Sequence, residues 1–203
     1  HLSINFGSRQ LLTDVNFYLN EGDKVGIIGI NGTGKSTFLK VLAGAIEADE
    51  GRIVRNPNTQ VSFLSQNPAM EDEATILEQI FLHFPKEFRE LNEYEAKSML
   101  TKLGFTDFSQ KVGTLSGGQR KRVALVAALV HPADILILDE PTNHLDMDSR
   151  EVLEGALEDF DGTILTVSHD RYFINRVANR VIEMQADGVR EYIGNYDDYL
   201  EKE

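Results

Sequence analysis

The sequence contains no cysteine. Disulfide crosslinks and thiolate metal sites are therefore excluded, and the reducing cytoplasm fits this composition better than a secretory compartment. The longest apolar run, Val123 to Val130, is far shorter than the ~20 residues that a membrane-spanning helix needs. No basic and then apolar signal-like segment opens the chain. We expect no direct membrane insertion, so that any membrane partner must be another polypeptide.

Basic residues are in the minority. Lys and Arg number 20 against 33 Asp and Glu, which gives a formal net charge of -13. The average field of such a chain repels nucleic acid, and we expect no specific DNA binding. Contact with RNA would need a local basic patch, for which the cluster Arg120, Lys121 and Arg122 is a candidate. A solvated face at the start of a helix is the interpretation that we favour for this cluster.

Hydrophobic residues make up 41% of the 203 residues and charged residues 26%, a balance typical of a folded globular protein. Short β-type runs alternate with segments of helical period, which predicts an α/β fold with a mainly parallel core sheet. The predicted strands are Leu2–Phe6, Asp14–Leu19, Lys24–Ile28, Gly51–Arg55, Val61–Leu64, Ile135–Leu138 and Thr163–Val167, followed by a hairpin of Val181–Met184 and Val189–Ile193. The predicted helices are Lys35–Ala43, two within Thr75–Leu103 separated by Pro85, Gly118–Val130, Ser149–Phe160, Asp170–Val177 and one from Tyr196.

The segment GINGTGKST, Gly29 to Thr37, fits the Walker A pattern and lies between a predicted strand and a predicted helix. Its glycines let backbone amides curl around phosphates, and the following helix presents free N–H groups to the anion. Lys35 is expected to reach the β- and γ-phosphates of ATP, and the Ser36 hydroxyl to bind Mg²⁺. The predicted nucleotide-binding residues of this loop are Gly29, Asn31, Gly32, Thr33, Gly34, Lys35, Ser36 and Thr37.

Two carboxylates, Asp139 and Glu140, follow the apolar run Ile135 to Leu138. This run is typical of a buried parallel strand, and ligands of open α/β sheets bind at the carboxyl ends of strands. We expect Asp139 to hold Mg²⁺ through water and Glu140 to orient or deprotonate the attacking water. A solvated acidic pair before Pro141 is the alternative.

The pentapeptide LSGGQ, Leu115 to Gln119, is the signature of the ATP-binding-cassette superfamily. The chain resembles that family along essentially its whole length, because its motifs occur in the family's order. The resemblance implies a P-loop NTPase of ABC type with an N-terminal antiparallel β subdomain and a small helical subdomain. The whole chain, 1–203, would be one ATPase domain, with a β lobe at 1–70, a helical lobe at about 71–115 and the signature, catalytic strand and tail at 116–203.

The resemblance also implies roles for separate residues. Gln66 looks like the Q-loop glutamine that touches Mg²⁺ and the water site, and His169 like the switch histidine that contacts the γ-phosphate and positions Glu140. Asp146 resembles the D-loop residue that crosses the dimer interface. Phe6 lies where the family places an aromatic ring against adenine. Plain loop or core roles are the alternatives for Gln66, His169 and Phe6.

The signature residues Ser116, Gly117, Gly118 and Gln119 form a second glycine-assisted helix N-terminus. In the family they bind ATP held by the opposite protomer. Alone, they would pass for an ordinary serine N-cap. The resemblance therefore implies a second cassette as partner, either another copy or a tandem neighbour, and hydrolysis of Mg-ATP by the head-to-tail pair.

The runs DEPTNHLD, at 139–146, and SHDRYF, at 168–173, look like the ABC-F branch. Members of that branch act on ribosomes, so the ribosome is a candidate partner and translation a candidate process. This chain departs from that branch, because it has one cassette and no long arm between Gln66 and Leu115. Its start at His1, without a methionine, suggests an excised or engineered domain. Its tail from Ser149 resembles a second cassette more than a first, so a recombined chain is an alternative. Two rival hypotheses stay open: the ATPase subunit of an ABC membrane transporter, and an isolated nucleotide-binding module with negligible hydrolysis.

Overall fold

The computed structural model of the chain describes residues 2–6, 9–12, 19–30, 34–48, 50–51, 53, 57–185 and 188–202. The strands are β1 (Leu2–Phe6), β2 (Arg9–Leu12), β3 (Lys24–Gly29), β4 (Glu50–Gly51), β5 (Val61–Leu64), β6 (Ile135–Asp139), β7 (Thr163–Val167), β8 (Arg180–Gln185) and β9 (Gly188–Ile193). The helices are α1 (Lys35–Leu42), α2 (Ile76–Ile80), α3 (Lys86–Lys102), α4 (Gly117–Val130), α5 (Met147–Glu158), α6 (Arg171–Val177) and α7 (Tyr196–Lys202), with a 3-10 turn at Val112–Thr114.

The chain divides into two compact units. The sheet unit consists of His1–Gln66, Ala133–Pro141 and Asp161–Glu203, and the helical unit consists of Asn67–Pro132 and Thr142–Phe160. The helical unit thus takes in α4 and α5 as well as α2 and α3. Among the residues that the structure describes, no helix combines the length and the apolar character needed to cross a bilayer.

The sheet unit is built on a six-stranded sheet in the order β5-β6-β7-β3-β8-β9. All neighbours in it pair in parallel except β8 and β9, which form an antiparallel hairpin. The inner strands are rich in Ile, Leu and Val because a parallel sheet is covered on both faces. Their side chains pack with α1 through Phe38, Leu39 and Val41. The predicted parallel core sheet is confirmed.

A separate three-stranded sheet has the order β2-β1-β4. It is antiparallel, with Phe6 opposite Arg9 and Leu2 opposite Gly51. The predicted strand Leu2–Phe6 is confirmed, whereas β2 was not predicted. Most of the predicted strand Asp14–Leu19 lies outside the described residues, as does the greater part of Gly51–Arg55.

The helical unit has its own apolar core, formed by α2, α3 and α4. Pro85 separates α2 from α3, as predicted, since proline is accepted just before a helix but not inside one. Leu100 of α3 and Val123 and Val126 of α4 are fully buried. Three residues apart, the two valines lie on one face of α4 and bury it in this core.

The basic cluster after the signature is not a solvated face, and that interpretation was wrong. Lys121 is only 5% exposed. Arg120 forms an ion pair with Asp72 at 2.6 Å, and Arg122 donates to the carbonyl of Leu103 at 2.9 Å. Asp72 and the Leu103 carbonyl lie outside α4, so the helical period of α4 could not reveal them.

Gly26 lies where α6 crosses β3. A Cβ at this position would come within 2.9 Å of Ile174 Cδ1 and 3.0 Å of its Cγ2. Gly26→Ala therefore requires the Ile174 side chain or the α6 backbone to shift, and we expect a loss of about 1–3 kcal/mol in the free energy of unfolding. Urea denaturation followed by circular dichroism measures this loss.

Gly155→Ala is the matched control. A Cβ on Gly155 in α5 meets nothing within 4 Å, and alanine favours a helix over glycine. The free energy of unfolding of this variant should rise by about 0.5–1 kcal/mol. Equal stability of Gly26→Ala and the parent would contradict the close contact between α6 and β3.

Candidate active site

The predicted phosphate-binding loop lies between β3 and α1. Gly29 has φ of 150° and Gly34 has φ of 88°, backbone conformations that L side chains rarely adopt. Gly34 is the N-cap of α1, and no side-chain cap accepts from the amides of the first turn. Asn31, Gly32 and Thr33 lie outside the described residues. Thr37 lies half-buried in the first turn of α1.

Lys35 is buried at the start of α1. Its Nζ donates to the carbonyl oxygens of Gly29 at 2.7 Å and Ile30 at 2.9 Å, so the ammonium is anchored to the loop. Burial lowers the pKa of Lys35, while the nearby charges of Glu140 and Asp139 oppose that shift. The side chain is therefore a preplaced cation whose neighbours are carboxylates.

Asp139 ends β6 and is fully buried. The Ser36 hydroxyl donates to Asp139 Oδ1 at 3.1 Å. Mg²⁺ prefers oxygen ligands and is usually held by one or two carboxylates together with substrate phosphates and water. A hydroxyl beside a carboxylate at the phosphate loop fits this ion. In the described part of the chain no group of three His, Cys, Asp or Glu side chains could hold a metal, so phosphates and water would complete the set.

Glu140 follows directly and has φ of 48°, a left-handed conformation that is strained for a residue with a side chain. Such strain collects at functional sites. The Glu140 amide donates to the carbonyl of Val167 at 2.8 Å, which ties this conformation to the end of β7. The acceptor thus comes from the neighbouring strand of the sheet.

His169 follows β7 and contacts the Glu140 carboxylate twice. Its backbone N–H donates to Glu140 Oε2 at 3.3 Å, and its Nε2 lies 3.2 Å from Glu140 Oε1. Burial raises the pKa of Glu140, and the amide and imidazole of His169 partly offset that rise. The half-exposed imidazole can therefore orient Glu140 while its own ring still faces solvent.

Parallel topology explains why these groups meet. The carboxyl ends of parallel strands lie at one edge of a sheet, and β6, β7 and β3 are neighbours there. Gln66 also reaches this edge, because Leu64 of β5 pairs with Leu138 of β6 and Gln66 follows two residues later. It lies exposed in a bend. Phe6 lies in β1, and its side chain is outside the described part of the structure.

The signature tip belongs to the helical unit. Ser116 caps α4: its Oγ accepts from the Gln119 amide at 3.2 Å, and its amide donates to Gln119 Oε1 at 2.9 Å. Ser116 and Gly117 are exposed, and a Cβ on Gly117 would meet nothing within 4 Å. A Cβ on Gly118 would lie 3.4 Å from the carbonyl oxygen of His144. The tip is thus a capped helix N-terminus whose first residues are exposed.

Asp146 caps α5 in the same unit. Its Oδ1 accepts from the Ser149 amide at 2.8 Å, and hydrogen bonds from Ser149 lower the pKa of Asp146. His144, two residues earlier, has φ of 63° and is exposed. Sequence reasoning had not singled out this conformation, nor the Ile30 carbonyl that holds Lys35. The Walker A pattern leaves the Ile30 position free, so residue type gives no signal there. Histidine is among the residues enriched at positive φ, which is a weak signal for His144.

Comparison with known proteins places these motifs in a family. The family described as ABC transporter matches residues 12–143, which span the phosphate loop, the signature and the Asp139–Glu140 strand end. The chain belongs to the ATP-binding-cassette family. Its nucleotide-binding fold and motifs are those of an ABC ATPase.

Curated relatives of this cassette include ABC-F proteins. It is 40% identical to the uncharacterized ABC transporter ATP-binding protein YfmR of Bacillus subtilis, over 97% of this chain and 37% of that protein. It is 38% identical to ABC transporter F family member 2 of Arabidopsis thaliana, over 100% and 30%. With the ribosome protection protein VmlR of B. subtilis the identity is 37%, over 94% and 34%. The chain spans about a third of each, and the predicted resemblance to the ABC-F branch is confirmed.

Solved structures confirm the fold class. The RNase-L inhibitor superposes with a TM-score of 0.80 at 31% identity, over 99% of this chain and 40% of that one. The ATP-binding cassette MJ0796, solved as a dimer in a post-hydrolysis state with ADP and Pi, superposes with a TM-score of 0.79 at 25% identity, over 95% and 96%.

The raised pKa of Glu140 has a consequence for stability. Between the ordinary pKa of 4.5 and the raised pKa lies a pH interval in which Glu140 is protonated in the folded cassette but ionised in the unfolded chain. In that interval the folded cassette binds more protons than the unfolded chain. Stability therefore falls as the pH rises through the interval, and it stays reduced above it. Glu140→Gln has no such loss. In EDTA and without nucleotide, its Tm should exceed that of the parent near neutral pH but not near pH 4.

The control is Glu21→Gln, which changes an exposed carboxylate in the same unit. It should leave Tm unchanged at both pH values. A Glu140→Gln advantage that is the same at acidic and neutral pH would show that side-chain packing, and not ionisation, causes it.

Proposed function

We propose that this chain binds Mg-ATP and hydrolyses it as one member of a head-to-tail pair of cassettes. The observation that carries the proposal is the buried cluster of Lys35, Asp139 and Glu140 at one edge of the parallel sheet. Charges are rarely buried unless they are paired or serve a ligand. A cation, a carboxylate beside a hydroxyl and a carboxylate of raised pKa together match the needs of phosphoryl transfer to water.

Each group has a distinct task. Lys35 and the first-turn amides of α1 bind the phosphate oxygens and stabilise the charge that develops on them. Ser36 and Asp139 would hold Mg²⁺, which neutralises phosphate charge when bound. Glu140 takes a proton from the water that attacks the γ-phosphorus, and its raised pKa makes it a better base than an ordinary carboxylate. His169 orients the Glu140 carboxylate, and Gln66 would contact Mg²⁺ and the attacking water.

The signature tip supports the pairing. Ser116, Gly117 and Gly118 expose a second anion-binding helix N-terminus, which would close a site on another cassette. The dimeric structure of the related MJ0796 with ADP and Pi agrees with this arrangement. Asp146 would lie at the junction and Phe6 against the adenine. The whole chain would then act as one cytoplasmic ATPase domain whose partner is a second copy or a tandem cassette.

The binding role of Lys35 is testable by calorimetry. Lys35→Met removes a charged donor from the phosphates and should weaken Mg-ATP binding by about 10- to 100-fold. Lys40→Met, exposed in the last turn of the same helix, should bind like the parent. Glu140→Gln should also bind like the parent, yet lose about 10²- to 10⁴-fold in turnover.

Two outcomes would contradict these roles. Equal affinities of Lys35→Met and Lys40→Met would remove Lys35 from the phosphate site. Undiminished turnover by Glu140→Gln would show that another group activates the water. Turnover of the parent that rises more than linearly with protein concentration would support the pair, whereas flat and negligible activity would favour a passive nucleotide-binding module.

We propose that the pair of cassettes binds the ribosome. The relative VmlR is a ribosome protection protein, and other relatives of the chain are ABC-F proteins. With Mg-ATP, Glu140→Gln should co-sediment with ribosomes through sucrose, and Lys35→Met should not. Two results would favour the transporter alternative. One is ribosome binding that is the same with and without Mg-ATP, and the other is a cassette pair that forms in solution but does not bind ribosomes.

A further inference from the structure

The basic cluster that follows the signature has no task in the chemistry proposed above. Its first member, Arg120, lies in the first turn of α4, beside the exposed residues Ser116 and Gly117 of the signature tip. The apolar core of the helical unit takes in Leu115 and then Val123, and the residues between them are glycine or polar. Apolar packing therefore flanks the first turn of α4, and polar contacts hold the turn itself.

One of these polar contacts joins the first turn to a distant part of the same unit. Arg120 Nη2 donates to Asp72 Oδ1 at 2.6 Å, which is a short, charge-assisted hydrogen bond. The two residues are 48 positions apart in the chain, and both belong to the helical unit. The contact thus fixes the first turn of α4 to the segment that precedes α2.

Main-chain contacts hold Asp72 itself. Its carbonyl accepts from the Gly113 amide at 2.9 Å, and the carbonyl of Ala74 accepts from the Val112 amide at 2.9 Å. A Cβ on Gly113 would lie 3.0 Å from the Cβ and 3.0 Å from the carbonyl oxygen of Asp72, so the two main chains approach each other closely at this glycine. Asp72 therefore presents its carboxylate from a fixed backbone.

This fixed backbone changes the energetics of the ion pair. Surface ion pairs usually contribute little, because ordering two flexible side chains opposes their attraction. Here the aspartate main chain is already ordered, and the arginine is half-buried, with 36% of its side chain exposed. The pair can therefore restrain the first turn of α4 at a small cost in conformational entropy.

We propose that Asp72, acting through Arg120, positions the signature tip so that its amides are oriented in advance for the phosphate of a partner cassette. Arg120 is then a positioning residue, because it acts on the helix end and not on the nucleotide. The inference rests on the proposed head-to-tail function and adds to it the groups that set the orientation of the signature. A helix end that is already oriented loses less conformational entropy when the pair closes, which stabilises the pair.

Substitution of each partner in turn tests this role, in the Glu140→Gln background so that ATP is not consumed. Asp72→Asn and Arg120→Gln should each raise the dimer dissociation constant in Mg-ATP by about three- to tenfold, since a two-fold pair contains the contact twice. The double variant should pair no more weakly than the weaker single variant, because its second substitution removes a contact that is already lost. Analytical ultracentrifugation measures these constants.

Glu73→Gln is the matched control. Glu73 Oε2 lies 2.7 Å from Lys111 Nζ in a similar ion pair one position further along, but that pair does not include α4. Its loss should leave the dimer dissociation constant unchanged. Calorimetry should show that all these variants bind Mg-ATP like the parent, because the phosphate loop of a single cassette binds the nucleotide.

Hydrogen exchange without nucleotide separates positioning from a general loss of stability. The Gln119 amide donates to Ser116 Oγ, so its exchange reports the order of the signature tip. Asp72→Asn and Arg120→Gln should speed this exchange several-fold and leave the exchange of the Leu125 amide, in the middle of α4, unchanged. Equal acceleration at both amides would show that the pair only stabilises the fold, and would overturn the inference.

The pairing measurements separate the inference from the function on which it rests. If Arg120→Gln weakens the pair but Asp72→Asn does not, the arginine acts on the partner cassette directly and the positioning role is wrong. If both variants pair like the parent, the inference is overturned and the proposed function stands. If the Glu140→Gln cassette itself forms no pair although it binds Mg-ATP, both are overturned.

Discussion

The burial of opposite charges at one edge of a parallel sheet is the constraint on which this structure depends. Lys35, Asp139 and Glu140 are all removed from water, and any one of them alone would be costly to bury. They are tolerated because the loop carbonyls hold the ammonium, Ser36 donates to Asp139, and His169 contacts Glu140. The sheet brings them together, since β6, β7 and β3 are neighbours and end on the same side.

This arrangement has a cost that fits a catalytic role. Glu140 is held in a left-handed backbone conformation and its pKa is raised by burial. Neither feature helps the protein to fold, and both are maintained by the surrounding strands through the Val167 carbonyl and the His169 amide. Strain and an unfavourable ionisation that are supported by a rigid frame are typical of sites selected for chemistry.

The main feature of the helical unit is its pair of capped helix N-termini, those of α4 and α5. Ser116 caps α4 with a reciprocal bond to Gln119, and Asp146 caps α5 through Ser149. These local bonds keep the two N-termini ordered without covering Ser116 and Gly117, which stay exposed. An exposed helix N-terminus can donate backbone hydrogen bonds to a phosphate. The proposed head-to-tail pair requires a helix end of this kind.

Strong local patterns were predictable. The strands Val61–Leu64 and Thr163–Val167 have the bounds expected from their apolar runs, and α4 begins one residue before its predicted start. The short strand β2 was missed because pairing with β1, and not its own residue pattern, makes it a strand. The environment of Lys121 was misjudged for a similar reason, since helical period cannot show what packs over a charged residue.

The sequence by itself determined the motifs and their order: a glycine loop between a strand and a helix, a signature, and an acidic strand end. Motif chemistry is local, so residue type and spacing suffice to recognise it. Only the tertiary structure decided that Glu140 is strained and buried and that His169 contacts its carboxylate. These properties arise from strand neighbours and packing partners distant in the chain, and no local pattern contains them.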